Sequence, residues 1–230
     1  MLIRSVISLL VVALSAAISS QGWAANVFGP SAYLSSADIP AGFYQGGAPL
    51  VLDDLEDNSL DASLSASAGS IIGPAQFGGL VDSVDADDGA INGNGQNGRS
   101  WFNGSGANGV TFTFVGAGPL PTAFGIVWTD GSGTITLQAF DGNGVKIVDQ
   151  VFSGIPDGSF SGTTAEDRFL GVTDPGGVKA IRVSNSSGGI ELDHIQYGTM
   201  MAPVPEPTTW ALMLLGLAGT GFAVQRRRHR

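Results

Sequence analysis

Apolar residues alternate with polar ones along several short segments between glycine-rich turns, and this two-residue period constrains the fold more than any other feature. In the segment 110–114, two phenylalanines and a valine alternate with threonines, and the same spacing recurs at 124–128 and 135–139. Side chains of a strand point alternately to opposite faces, so each segment is predicted to be a strand with one buried face. Residues 26–200 contain no window with sustained helical periodicity.

Turn sequences separate the predicted strands. An Asp-Gly step at 130–131 and the sequence Asp-Gly-Asn-Gly at 141–144 stand where tight turns need the positive φ that Gly and Asn adopt readily. Further strands are predicted at 145–151, 178–183 and 190–197, which gives about seven to nine in all. Because each strand must hide one face, we predict an all-β fold, an antiparallel β-sandwich or jelly roll.

Residues 1–25 have the pattern of a secretory signal peptide. An early positive charge at Arg4 precedes an apolar run at 6–18, and small residues then lead to Ala24 and Ala25. The pattern predicts a signal helix, export by the Sec machinery and cleavage by signal peptidase after one of the two alanines. The chain has no Cys, which excludes disulfides, thiolate metal sites and a Cys nucleophile.

The segment 203–230 combines three features in order. A stiff Pro205-Glu206-Pro207 spacer is followed by Thr208-Thr209-Trp210, an apolar run at 211–224 and a basic tail at 225–230. As a helix, the segment 208–224 would measure about 25 Å, slightly less than the roughly 30 Å hydrocarbon core of a membrane. We predict a transmembrane helix whose tail stays cytoplasmic, with the domain before it outside. The arginines predicted to stop transfer are Arg226, Arg227, Arg228 and Arg230.

These three features resemble the PEP-CTERM sorting signal of Gram-negative bacteria that make exopolysaccharide. The resemblance implies recognition by an exosortase, with Pro205, Glu206 and Pro207 as the recognition element. It also implies transient anchoring in the inner membrane, followed by delivery to the cell surface or the extracellular matrix. The chain then divides into the signal peptide, an ectodomain at 26–202 and the sorting signal at 203–230.

The ectodomain is strongly acidic. Of the chain's 10 Lys and Arg and 20 Asp and Glu residues, five basic residues and one acidic residue lie in the terminal segments. The remaining 5 basic and 19 acidic residues give the ectodomain a net charge of −14. A surface of this sign repels phosphate backbones, so we expect no nucleic-acid partner and regard cations as the natural counter-ions.

Carboxylates are concentrated in two short windows, 53–57 and 82–88. Carboxylates at this density repel one another, and a calcium ion bound by several of their oxygens would relieve the repulsion. Candidate ligands for a structural Ca²⁺ are Asp85, Asp87 and Asp88, with Glu56 and Asp193 as a second, long-range set. The alternative is a solvated acidic loop without metal. The spacing does not meet the EF-hand pattern.

The last predicted strand changes parity. The apolar positions are first the even-numbered Ile190 and Leu192 and then the odd-numbered Ile195 and Tyr197, and a β-bulge around residues 193 and 194 would produce this change. The bulge would re-aim the side chains of Glu191, Asp193 and His194. The sequence of this strand also resembles the final strand of galactose-binding-like jelly rolls, which implies an acidic residue that closes a structural calcium site.

A long glycine- and asparagine-rich loop is predicted at 89–109, with aromatic residues near its centre. Trp101 is the candidate ligand-binding residue because its ring can stack on a sugar. The alternative is a buried anchor for the loop.

We find no catalytic motif and expect a non-catalytic protein. His194 is the one histidine outside the tail, and no nucleophile elbow, P-loop or dinucleotide fingerprint is present. The preferred interpretation is a sorted surface or matrix protein with a structural or adhesive role linked to exopolysaccharide. The alternatives are a carbohydrate-binding module with a calcium-stabilised fold and an acid-dependent hydrolase.

Overall fold

The computed structural model describes residues 24–86, 91, 98–156, 165–201 and 215–217. The predicted signal helix and the predicted transmembrane helix at 208–224 therefore lie outside the described residues, except for their short described pieces. Residues 215–217 are helical. Among the described residues, no helix is long and apolar enough to cross a membrane. The chain divides into two compact units, Met1–Met200 and Met201–Arg230.

Strands dominate the first unit. They are β1 (Asn26–Ala32), β2 (Val51–Asp53), β3 (Leu64–Ala66), β4 (Ser70–Ile72), β5 (Ser100–Asn103), β6 (Val110–Phe114), β7 (Ala123–Phe140), β8 (Lys146–Phe152), β9 (Arg168–Thr173) and β10 (Ala180–Gly198). One short α-helix, α1 (Pro74–Phe77), lies between β4 and β5. Single 3₁₀ turns occupy Ser36–Asp38, Gln45–Gly47, Gly78–Leu80, Val84–Ala86 and Gly106–Asn108. The predicted all-β class is confirmed.

Two long strands, β7 and β10, organise the sheet. They pair antiparallel from Gly198 opposite Ala123 to Ala180 opposite Phe140. The outer half of the pair, near Phe140, is flanked by β8 on one side and by β6 and β3 on the other. The inner half, near Ala123, is flanked by β9 and β1 on one side and by β2, β5 and β4 on the other. Every pairing is antiparallel, as predicted.

Two predictions are wrong at the junction between the two halves of the sheet. The Asp-Gly step at 130–131 is not a hairpin turn, because β7 continues through it to Phe140. Likewise, the segments predicted as separate strands at 178–183 and 190–197 are parts of one strand, β10, except for residues 178 and 179, which precede it. The register of the β7–β10 pair shifts between Asn185 and Ile190, opposite residues 131–135 of β7. Glycines accumulate here because side chains crowd the junction; a Cβ on Gly189 would lie 2.9 Å from the Phe102 ring.

The predicted turn at 141–144 is confirmed. β7 ends at Phe140 and β8 begins at Lys146, and the Asp141 carboxylate accepts hydrogen bonds from the backbone of Asn143 and Val145 at 2.9 and 2.8 Å. Asp side chains commonly cap tight turns in this way. The turn closes the β7–β8 hairpin at the outer half of the sheet.

One hydrophobic core takes side chains from both halves of the sheet. Trp128 and Ile126 come from the inner half, and Leu137 and Phe112 from the outer half; all are fully buried. A second cluster covers the opposite face of the inner half, where Tyr33 and neighbouring aromatic residues pack on Val127 and Phe169. Residues 123–130 are therefore buried on both faces, whereas 135–140 alternate between buried and half-buried.

Candidate functional site

A β-bulge in β10 brings together residues from distant parts of the chain. Asp193 pairs with Val127 and Gln196 with Gly125, so β10 has one residue more than β7 across this step. The predicted bulge is confirmed. His194 has a left-handed backbone, with φ of 41°. Neighbouring side chains of a regular strand point to opposite faces, and the bulge allows Asp193 and His194 to approach the same point.

The carboxylate of Asp193 is fully buried and held by three donors. Its Oδ2 accepts hydrogen bonds from Ser83 Oγ and from the backbone N of Val84, both at 2.9 Å. Its Oδ1 accepts one from the backbone N of His194 at 2.6 Å. Burial raises the pKa of Asp193 to about 7, and the hydrogen bonds act against that rise. Asp193 thereby fixes the 82–86 segment against the bulge.

The imidazole of His194 connects a buried tyrosine to an exposed carboxylate. Its Nδ1 lies 3.1 Å from the hydroxyl of Tyr33, and its Nε2 lies 3.2 Å from Oδ2 of Asp85. Burial alone would lower the pKa of His194, but the carboxylates of Asp193 and Asp85 raise it above its ordinary value. One ligand atom from each of Asp85, Asp193 and His194 lies within 4.8 Å of the other two.

The remaining predicted calcium ligands are placed only in part. Asp87 and Asp88 lie outside the described residues. Glu56 Oε1 accepts a hydrogen bond from the backbone N of Arg99 at 2.5 Å, and burial raises the pKa of Glu56. Glu56 and Asp85 are near enough for their charges to repel. Calcium binding by these residues stays a prediction.

A cleft of about 300 Å³ opens at the junction between the two halves of the sheet. Phe77, Leu80 and Phe102 line its apolar wall, and the Phe77 and Phe102 ring centroids are 6.3 Å apart. Phe77 and Leu80 are about half exposed, at 47% and 48%. Large apolar side chains at this exposure in a concave site are typical of ligand pockets.

Two carboxylates form the polar part of this cleft. Asp130 and Glu191 are direct neighbours across β7 and β10, and both are only 5% exposed. Glu191 Oε2 accepts hydrogen bonds from Ser100 Oγ at 2.8 Å and from the backbone N of Asp82 at 2.9 Å. Burial raises the pKa of Glu191 to about 8, and the nearby Asp130 and Asp82 add to the rise. None of the described residues that line the cleft is Lys or Arg.

Trp101, the predicted ligand-binding residue, lies in β5 and not in a loop. Its Nε1 donates a hydrogen bond to the Ala68 carbonyl at 2.8 Å, and its ring meets Phe112 edge to face at 5.5 Å. Neighbouring side chains of a strand point to opposite faces, and the next residue, Phe102, accordingly lines the cleft. A sugar-binding role for Trp101 stays a prediction, and the structure adds Phe77 and Phe102 as candidates.

Sequence reasoning missed Phe77, Asp130 and Tyr33. Phe77 and Asp130 lack a local motif, and Tyr33 meets His194 across 161 positions of the chain. The parity change in β10 was the one available signal, because it pointed to Glu191, Asp193 and His194. Pro205, Glu206, Pro207 and the four tail arginines lie outside the described residues.

Comparison with protein families identifies the C-terminal segment. Residues 203–228 match the family described as the PEP-CTERM protein-sorting motif. The resemblance predicted from the sequence is confirmed over this segment. The motif implies export, a membrane-anchored sorting signal and recognition by an exosortase. No curated protein matches the chain.

Two solved structures show weak similarity. The enzymatically active domain of tailspike protein 4 from bacteriophage CBA120 aligns at 15% identity with a TM-score of 0.35, over 67% of this chain and 22% of that one. An exo-β-agarase aligns at 14% identity with a TM-score of 0.34, over 69% of this chain and 26% of that one. The chain thus spans about a quarter of each of these proteins.

Proposed function

We propose that this chain is a non-catalytic surface or matrix protein with an adhesive or structural role on exopolysaccharide. The observation that carries the proposal is the sorting motif at 203–228, which implies that the chain is exported and sorted by an exosortase. The ectodomain is then a β-sandwich of the jelly-roll type, delivered to the cell surface or the extracellular matrix. Its net charge of −14 disfavours binding to nucleic acid.

We assign the two cleft carboxylates a structural role. Asp130 and Glu191 are almost fully buried, and Glu191 is held by Ser100 and the backbone of Asp82. These hydrogen bonds fix the Glu191 carboxyl in the floor of the cleft. Neither carboxyl transfers a proton in this role.

The first prediction separates adhesion from hydrolysis. Full-length chain in detergent, incubated with exopolysaccharide from the producing strain, should sediment with the polymer and generate no new reducing ends. The matched control is the same incubation with the detergent alone. New reducing ends that increase with protein concentration would contradict the non-catalytic role and favour the hydrolase. Absence from the pellet would contradict adhesion to this polymer.

A second candidate function, a carbohydrate-binding module, is favoured by the cleft itself. An aromatic wall can pack on the apolar face of a sugar ring, while buried oxygens below it receive hydrogen bonds from ring hydroxyls. The absence of Lys and Arg among the described lining residues favours sugars without acidic groups. Calcium belongs to this second proposal as a stabiliser of the fold.

The second prediction places the sugar site. Phe77→Ala should weaken saturable binding to the exopolysaccharide about tenfold, the loss expected for an aromatic contact of about 1.4 kcal/mol. Leu50→Ala is the control, because Leu50 is 75% exposed and lies outside the cleft. Binding is measured with calcium and with chelator. Loss of binding in Trp101→Ala with the fold intact, and none in Phe77→Ala, would move the site to Trp101.

A further inference from the structure

We propose that Asp85, Asp193 and His194 form a binding site for a transition-metal dication of the zinc class. The three side chains come from the 84–86 turn and from the bulge of β10, and their ligand atoms lie within 4.8 Å of one another. This proposal concerns a different ion from the predicted calcium. It also differs in its donors, because it includes an imidazole nitrogen.

The spacing of the donors fits a tetrahedral ion. Zinc binds imidazole nitrogen and carboxylate oxygen at about 2.0 to 2.2 Å, so two such ligands at the tetrahedral angle stand roughly 3.3 Å apart. His194 Nε2 and Asp85 Oδ2 are 3.2 Å apart. A dication can therefore enter between them with small movements of the side chains, with Asp193 as the third ligand and water as the fourth.

The rest of the His194 ring is already oriented for metal binding. A histidine that ligates a metal through one nitrogen usually donates a hydrogen bond through the other, which fixes the ring and the tautomer. Here Nδ1 lies 3.1 Å from the Tyr33 hydroxyl, and Gln196 Nε2 donates to the same hydroxyl at 3.4 Å. In the tautomer that carries its proton on Nδ1 and directs it at Tyr33, the lone pair of Nε2 points toward Asp85.

The charge of the three side chains and their access to solvent favour a bound metal ion over a simple ion pair between His194 and Asp85. When Asp193 is ionised, two carboxylates face one imidazole, so even a protonated His194 leaves the group with an excess negative charge that a dication would balance. Asp193 is fully buried, whereas the side chain of Asp85 is 40% exposed, which provides an entry path from solvent. The carboxylate of Asp54 adds to the negative field at His194.

The donor set selects the class of metal. Calcium and magnesium take oxygen ligands, whereas imidazole suits Zn²⁺ and its transition-metal neighbours. The chain has no Cys, so a zinc site in it cannot use thiolate ligands and must use nitrogen and oxygen donors. We expect Zn²⁺ and Co²⁺ to bind here and Ca²⁺ to compete poorly.

The third prediction is tested by titrating metal-free full-length chain with Zn²⁺ alone by calorimetry, and with Co²⁺ by visible absorption. We expect one equivalent of Zn²⁺ to bind, and Co²⁺ to give the strong bands of a tetrahedral site. His194→Gln and Asp85→Asn should each lose this binding. Tyr33→Phe should retain the site with an affinity about tenfold lower, as expected when the partner of a metal-bound histidine is removed.

Controls distinguish this site from adventitious binding. His229→Gln alters the chain's other histidine and should bind as the unaltered chain does. Asp85 is a surface residue, so Asp85→Asn should retain the fold even if an Asp193 variant does not. Failure of the unaltered chain to bind Zn²⁺ would overturn the proposal. So would undiminished binding in both His194→Gln and Asp85→Asn, or binding of Ca²⁺ at this site in place of Zn²⁺.

Discussion

A chain with Pro205 and Glu206 both replaced by alanine should remain in the membrane fraction of producing cells as unprocessed precursor. These residues lie within the segment that matches the sorting motif. Each proline fixes its own φ and disfavours the helical region for the residue before it, so the sequence Pro205-Glu206-Pro207 favours an extended backbone. Alanines would remove this preference and the only carboxylate of the motif. We therefore expect complete loss of the processed form.

Immunoblots of membrane, surface and medium fractions measure this effect. The control is Thr208→Ala with Thr209→Ala, which changes two polar residues next to the motif and leaves the prolines, the apolar run and the basic tail intact. This control should be processed as the unaltered chain is. Normal amounts of a trimmed form from the Pro205 and Glu206 variant would show that exosortase recognition does not depend on these residues.

Local patterns predicted β6, β8, the bulge and segments of β7 and β10, because alternation is visible within a few residues; β1 to β5 and β9 were not predicted. One extra residue in the strand produces the parity change between Leu192 and Ile195, and the register of β10 shows it. The turn at 141–144 was equally local, since the Asp141 carboxylate caps it. Such features follow from the geometry of a single strand or turn.

The two long strands were not predictable, because their continuity depends on tertiary packing. An Asp-Gly step normally favours a hairpin turn, but at 130–131 both flanking segments pair with β10 and continue in one direction. The inner half of β7 is buried on one face by the main core and on the other by the 33–44 segment, and no local pattern in the sequence predicts the second contact. Long-range contacts thus overrode the turn propensity.

The candidate sites also combine features that the local sequence predicts with features that only the fold determines. The sequence showed that carboxylates are abundant, but only the fold determines which of them meet. Asp193 lies with Asp85 and His194, whereas Glu56 is held by the backbone of Arg99. The cleft residues Phe77 and Glu191 come from α1 and from the junction of β7 with β10, and only the fold brings them together. The sorting motif was recognisable because its features are contiguous in the chain.

Trp128→Ala should lower the free energy of unfolding by about 3 to 5 kcal/mol, a large share of the roughly 5 to 15 kcal/mol that stabilises a domain. Trp128 is fully buried in the core that joins both halves of the sheet. Its Nε1 donates a hydrogen bond to Asn185 Oδ1 at 3.0 Å, and Asn185 Nδ2 donates to the Gly189 carbonyl at 2.7 Å. The substitution would leave both a cavity and an unpaired amide oxygen.

Urea unfolding of the full-length chain separates these two effects. Trp128→Phe keeps most of the volume and removes only the donor, so we expect a loss of about 1 to 3 kcal/mol. Val145→Ala, at a site 58% exposed, should change stability by less than about 0.5 kcal/mol. If Trp128→Ala matched this control, Trp128 would not be a core residue. Because Gly189 lines the cleft, a loss of exopolysaccharide binding in Trp128→Phe would show that the Trp128–Asn185 pair also maintains the binding surface.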